Sequence, residues 1–121
     1  MTATMTNAEF ERWWEGLSQP DHDFETYNLL GHNFYGRDRS WVTTFEECIP
    51  GYGEIWECAG EILDYARTHE PSNGIPGAYL QTSGGAYNGQ WKCVLWGTQG
   101  WGKTGPAAVQ KAFVKAHKVT P

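Results

Sequence analysis

The sequence predicts a single α+β domain spanning residues 1–121, with three main helices packed on a small antiparallel sheet in the order α, irregular, α, β, β, α. Three observations carry this expectation. Apolar residues recur at helical spacing in three separate stretches. Two short strand-like runs, residues 78–82 and 90–96, stand between the second and third of these stretches, with Ser, Gly and Asn between them. A chain of 121 residues buries roughly two-thirds of its unfolded surface. That is enough for a core without metal or disulfide staples.

The first helix opens on Thr6-Asn7-Ala8-Glu9, a capping box in which the Thr6 hydroxyl and the Glu9 carboxylate accept each other's backbone N–H. Phe10, Trp13, Trp14 and Leu17 follow as one apolar stripe, Gly16 weakens the end and Pro20 closes it. Residues 20–52 fit neither the helical nor the strand period, and Gly31, Gly36, Pro50, Gly51 and Gly53 interrupt them. They read as mostly loop. The second helix is expected from about Tyr52 to His69. Ile55, Ala59, Ile62, Leu63 and Ala66 form its stripe, widened by Trp56, and Pro71-Ser72-Asn73-Gly74 ends it.

Ala78 to Thr82 then reads as a strand, and Asn88-Gly89 is a hairpin signal. Gln90 to Trp96 alternates Trp91, Cys93 and Leu95 against Lys92, Val94 and Trp96, so it reads as a central strand or one covered on both faces. The last helix is expected to start at Pro106, since proline suits a first helical turn. Val109, Ala112, Phe113 and Ala116 form its stripe, and Lys111, Lys115 and Lys118 its solvent face.

The sharpest motif is Gly97-Thr98-Gln99-Gly100-Trp101-Gly102-Lys103-Thr104, which fits G-x-x-x-x-G-K-[ST]. In a nucleotide-binding loop the backbone N–H groups wrap phosphate and the lysine reaches it. Gly97, Gly102, Lys103 and Thr104 would be the ligand residues of that alternative. The chain around the motif argues otherwise. Phosphoryl transfer needs an acidic residue holding magnesium on another strand, and only one helix follows Lys103. Pro106 also moves the helix start away from Gly-Lys, where phosphate would meet free N–H groups. The stretch therefore reads as a flexible, exposed, glycine-rich turn, with Trp101 and Lys103 available to a partner.

Net charge and composition narrow the partner. At −5 the chain disfavours nucleic acid, whose phosphates need Lys and Arg. Seven Trp, six Tyr and five Phe exceed what a small core requires, and aromatics anchor protein contacts. Glu54, Glu57 and Glu61 recur at i, i+3 and i+7 and mark an acidic helix face suited to a basic partner. Arg37-Asp38-Arg39 is a polar loop flanked by Tyr35 and Trp41, two further contact candidates.

Cys48, Cys58 and Cys93, with His22, His32, His69 and His117, show no zinc-binding spacing, so no metal or other cofactor is expected. No complete catalytic set stands out, and the chain reads as non-enzymatic. With no signal-type opening and no run of ~18 apolar residues, the expectation is a cytoplasmic protein without membrane contact.

Two stretches resemble small accessory proteins from the early regions of tailed-phage genomes. One is Phe10-Glu11-x-Trp13-Trp14, then Asp21-His22-Asp23-Phe24, then Tyr52, Trp56, Ile62, Tyr65 and Ala66. The other is Trp91-x-Cys93, the glycine-rich turn, Thr104-Gly105-Pro106-Ala107-Ala108-Val109, Ala112 and Phe113, similar to the C-terminal half of a phage α-β-α sandwich domain. The chain departs from that pattern at Ala59-Gly60, where W-x-x-W is usual, and at Gly105, inserted between Thr104 and Pro106. The resemblance implies a phage or prophage protein acting in an infected or lysogenic bacterial cell. It implies a stoichiometric inhibitor of a bacterial protein or defence complex, anti-CRISPR proteins among them. It carries over no catalytic residue, and it makes Thr104 to Pro106 the cap of the last helix.

Overall fold

The computed structural model describes residues 5–31, 51–69, 77–82 and 90–119. Helix α1, Asn7–Glu15, starts as its capping box dictates: Thr6 Oγ1 accepts from the Glu9 N–H at 3.1 Å, and Glu9 Oε1 accepts from the Thr6 N–H at 2.9 Å. Phe10 and Trp14 are its buried residues.

Pro20 does not close this helix. It lies in the first turn of a further helix, α2, Gln19–Leu29, where a missing N–H costs nothing. Ser18 caps α2 by accepting from the Asp21 N–H at 3.3 Å. The segment read as loop is thus helical as far as Leu29. Its inward face carries Asp23 and Thr26 beside Phe24, so no apolar period marks it.

Helix α3, Trp56–Thr68, begins at Trp56 rather than Tyr52. Before it the chain makes a tight turn in which the Ile55 N–H donates to Gly51 O at 3.0 Å. Ala59, Ile62 and Ala66 are buried as the stripe requires.

Strands β1, Ala78–Thr82, β2, Trp91–Leu95, and β3, Thr98–Gly102, form an antiparallel sheet in the order β1-β2-β3. The expected central strand is β2. The third strand corrects the reading of Gly97 to Thr104 as a flexible turn. Gly100 pairs with Cys93, and Gly102 with Trp91. The β2–β3 connection is only Trp96-Gly97, with φ of 53° and 84°. Two consecutive left-handed residues are the hairpin turn whose twist matches the strands. Tryptophan is costly there. Its indole offsets the strain by donating to Ala66 O at 3.2 Å and by ring contacts with Phe113 and His117.

The register sorts the sheet into two faces. Leu80, Cys93 and Gly100 lie on one, and Tyr79, Val94 and Gln99 on the other. Helix α4, Gly105–Lys118, crosses the first face so closely that a Cβ on Gly100 would run into the Ala112 backbone. A Cβ on Gly102 would sit 2.7 Å from Ala108 N. These glycines stand where a helix approaches a strand, which is a recognised use of glycine inside a strand.

Ala108, Val109, Gln110, Ala112, Phe113 and Val114 are all buried, so α4 is the central helix of the molecule. Burial of Phe10, Tyr52, Ile62, Leu95 and Phe113 contributes about 1.5–3 kcal/mol for each such side chain. The expected solvent face of α4 is also corrected. Lys111 and Lys115 grip Glu11 of α1 at 2.7 and 3.3 Å, and Lys118 approaches Glu25 of α2 at 3.5 Å. Burial raises the Glu11 pKa, but hydrogen bonds and charge from the two lysines outweigh it and hold the carboxyl below its ordinary value.

Candidate functional site

A buried polar node fixes the turn that precedes α3. Gln110 of α4 is 1% exposed, and its amide N–H groups reach Asp23 Oδ1 at 2.8 Å and Thr26 Oγ1 at 3.1 Å. Gln19 Nε2 donates to Asp23 Oδ1 at 2.9 Å and to Gln110 Oε1 at 3.2 Å. The Gly53 N–H also donates to the Asp23 carboxylate, which ties the turn to α2 and α4. Any side chain at 53 would collide with the Gln110 and Gln19 amides. Burial pushes the Asp23 pKa up, and the donors from Gln110, Gln19 and Gly53 pull against it. Tyr52 is fully buried, with its hydroxyl donating to Glu61 Oε1 at 3.2 Å, and burial together with that carboxylate raises its pKa.

With Tyr52 and Gly53 held inside, Glu54, Ile55, Trp56 and Glu57 face outward. Ile55 is 48% exposed and Trp56 54%, the large apolar side chains left open at this end of the molecule. Trp56 is seated rather than free. The six-membered edge of its indole rests where a Gly105 side chain would be, and Trp91 meets it edge-on at 5.4 Å and 68°. The result is an indole fixed at one edge and open elsewhere. Glu54 and Glu57, next to it in sequence, are exposed, and their carboxylates pair with no described residue. Farther along α3, Asp64 pairs with Arg67 at 2.9 Å.

The residues expected to contact a partner therefore separate. Glu57 and Glu61 share the exposed face of α3, while Glu54 stands in the turn before it rather than on the helix. Lys103 is exposed in the short link to α4, and Trp101 is half-buried on the outer sheet face with Lys92 Nζ 5.5 Å from its ring centroid. Trp101 thus belongs to β3, and Lys103 to the two-residue link after it, rather than both to one turn. Tyr35 and Trp41 lie outside the described residues. Gly97, Gly102, Lys103 and Thr104 form no phosphate cradle. The backbone from Thr98 to Gly102 is a strand paired with β2, and Thr104 Oγ1 accepts from the Ala107 N–H at 3.2 Å as the cap of α4. The cap falls within the Thr104 to Pro106 span that the resemblance implied, but the helix starts at Gly105, one residue before the Pro106 start expected from the residues.

Sequence reasoning missed the Asp23–Gln110 node and the exposure of Trp56. An acid and an amide far apart in sequence give no local signal. Trp56 counted as core because its spacing fits the apolar stripe.

Among the described histidines and cysteines, His22 and His117 are half-buried and Cys93 is buried. His22 stacks on Trp14 at 3.6 Å and 3°, with Nε2 donating to Trp14 O at 2.9 Å. His117 Nδ1 donates to Phe113 O at 2.9 Å. Burial lowers both histidine pKa values, against the pull of those carbonyls. Burial pushes the Cys93 thiol up to about 12. Among the described residues no group of three His, Cys, Asp or Glu could hold a metal ion, and no helix is long and apolar enough to cross a membrane. An open pocket of about 260 Å³ lies between α3 and β1, lined by Leu63, Ala66, Arg67, Gly77 and Ala78, at the end of α3 away from Trp56. Comparison with protein families, with curated proteins and with solved structures finds no match to this chain.

Proposed function

We propose that the chain is a phage-encoded, non-enzymatic protein that binds one bacterial protein stoichiometrically and blocks it, the target belonging to an anti-phage defence complex of CRISPR type. It acts in the cytoplasm of an infected or lysogenic cell and needs no cofactor. The observation that carries this reading is the seated, half-exposed indole of Trp56 next to Ile55, flanked by the exposed carboxylates Glu54 and Glu57. Rigid aromatic anchors of this kind carry most of the energy in protein interfaces. The acidic rim favours encounter with a basic surface. The phage-like sequence stretches supply the kind of target.

Co-purification from bacterial lysate tests the reading, followed by an assay of the captured machine. The wild type is expected to hold a host protein one to one and to lower its activity. Charge reversal at Glu54, Glu57 and Glu61 is expected to weaken the complex. A triple variant that binds and inhibits normally would show that the surface is wrong.

A further inference from the structure

We infer that the outward face of α3 around Gly60 is a docking site for an arginine-bearing segment of the partner protein. The guanidinium lies on the Trp56 indole and the segment passes over Gly60. This rests on the protein-binding reading above and adds the chemistry of the partner.

Gly60 is the first observation. Glycine is the poorest helix former after proline, and this one stands inside α3. The other described glycine inside a helix, Gly105, is required by the Trp56 ring against it. Gly60 has no such reason. It is exposed, its φ is not left-handed, and a Cβ built there would meet no atom within 4 Å. Neither backbone nor internal packing calls for it.

Its position gives it one. Trp56 is four residues earlier, on the same helix row, and helical side chains tilt toward the N-terminus. A side chain at 60 would lean back over the indole that is now open. Gly60 keeps that ring accessible and lets another backbone come close.

Charge is the second, independent observation. Glu54 and Glu57 are exposed and their carboxylates pair with no described residue, while Glu61, four residues after Glu57, accepts from the buried Tyr52 hydroxyl at 3.2 Å. A helix-interior glycine with open space around it and two exposed carboxylates thus meet beside one exposed tryptophan. Sequences that break local rules in this way do so at functional sites. Carboxylates beside an open indole suit arginine above other side chains, since guanidinium stacks on an aromatic face while pairing with carboxylate. Lysine would satisfy the charge but not the stacking.

The test is a titration of the isotope-labelled protein with a blocked alternating arginine–alanine hexapeptide, read by backbone amide and indole N–H resonances. A hexapeptide with glutamate in place of arginine is the control. The expected result is a saturable, salt-sensitive change confined to residues 54–61 and the Trp56 indole. Binding should fall about tenfold in Gly60→Leu and in Trp56→Ala. Gly60→Ala separates binding from folding: its unfolding midpoint rises while its affinity for the peptide falls. The inference is overturned if Gly60→Leu and Trp56→Ala bind like the wild type. It is equally overturned if the glutamate peptide binds as well, or if residues 54–61 do not respond up to millimolar peptide. Lysate capture distinguishes the two levels. A host protein held equally by wild type and Gly60→Leu leaves the inhibitor reading standing and removes the docking site. A positive titration with no host protein captured does the reverse.

Discussion

Replacing Gln110 by leucine tests whether the buried node holds the molecule together. The side chain is fully enclosed, so the change removes hydrogen bonds without opening a cavity. Three bonds go. Thr26 keeps its own bond to His22 O at 2.8 Å, and Gln19 keeps Asp23 at 2.9 Å. The uncompensated loss falls on the Asp23 carboxylate, which loses a donor at 2.8 Å. A hydrogen bond to a charged group contributes about 1.5–3 kcal/mol, so a net loss of about 2–3 kcal/mol is expected at neutral pH.

The pH dependence is the stricter part. Burial sets the folded pKa of Asp23 above its ordinary value of 3.8. A raised acid contributes stability below its unfolded pKa and loses that contribution as pH rises through the folded one. Gln110 limits the loss by favouring the carboxylate. Without it the folded pKa climbs further, so the penalty of Gln110→Leu is largest at neutral pH and shrinks as the solution is acidified through the variant's higher pKa. Gln110→Glu, which sets a second carboxylate against Asp23, should exaggerate the trend. Urea unfolding at neutral pH and near pH 4, with the denaturant slope unchanged, measures it. A penalty under about 0.5 kcal/mol at neutral pH, the ordinary range of a surface substitution, would refute the reasoning. So would a penalty of Gln110→Glu that does not respond to pH.

The same glycine-to-alanine change should have opposite signs at two sites. At Gly100 the new methyl meets the Ala112 backbone and overpacking costs about 1–3 kcal/mol, whereas at Gly60 it meets nothing and the helix gains about 1 kcal/mol; thermal unfolding reads both. The folded pKa values of His22 and His117 lie below their ordinary value of 6.5, so their contribution is present above 6.5 and is lost as pH falls toward the folded values. Stability should therefore decline on acidification below 6.5, and the decline should weaken when both histidines are replaced by glutamine. In the Gly97–Thr104 stretch, Thr104→Ala should cost about 1 kcal/mol as a lost helix cap while Thr104→Ser costs little. Lys103→Ala should leave stability unchanged, and calorimetry with magnesium ATP should give no saturable binding.

What was legible in the sequence was what short-range chemistry decides. The Thr6–Glu9 box, the Thr104 cap and the bounds of β1 depend on residues within a few positions of one another. What was not legible depends on partners far along the chain. Helix α2 lacks an apolar period because Asp23 and Thr26 turn inward to meet Gln110 on α4. The lysines of α4 look solvated until Glu11 and Glu25 are brought alongside. At the candidate site the acidic row of Glu57 and Glu61 follows from helical spacing. The exposure of Trp56 does not, because it depends on Gly53 pinning the turn and on Gly105 receiving the ring edge. A local signal was nevertheless present in α2: Ser18, Pro20 and Asp21 are a helix start in their own right.

The phosphate-loop string illustrates how one set of letters can answer to different physics. Gly97 is glycine because the hairpin needs a left-handed residue after Trp96. Gly102 is glycine because α4 crosses β3 within reach of a Cβ there. Thr104 is a hydroxyl residue because the Ala107 N–H needs an acceptor at the helix start. Lys103 falls on the exposed link between strand and helix, where a charged side chain is the ordinary choice. Each position of G-x-x-x-x-G-K-T is thus filled by a separate local demand. A phosphate loop needs its N–H groups turned together toward one point, whereas here the same backbone runs as a strand paired with β2. The motif encodes the close approach of a strand to the helix that follows it, and the aromatic and acidic surface lies at the start of α3, across the Gly105 contact.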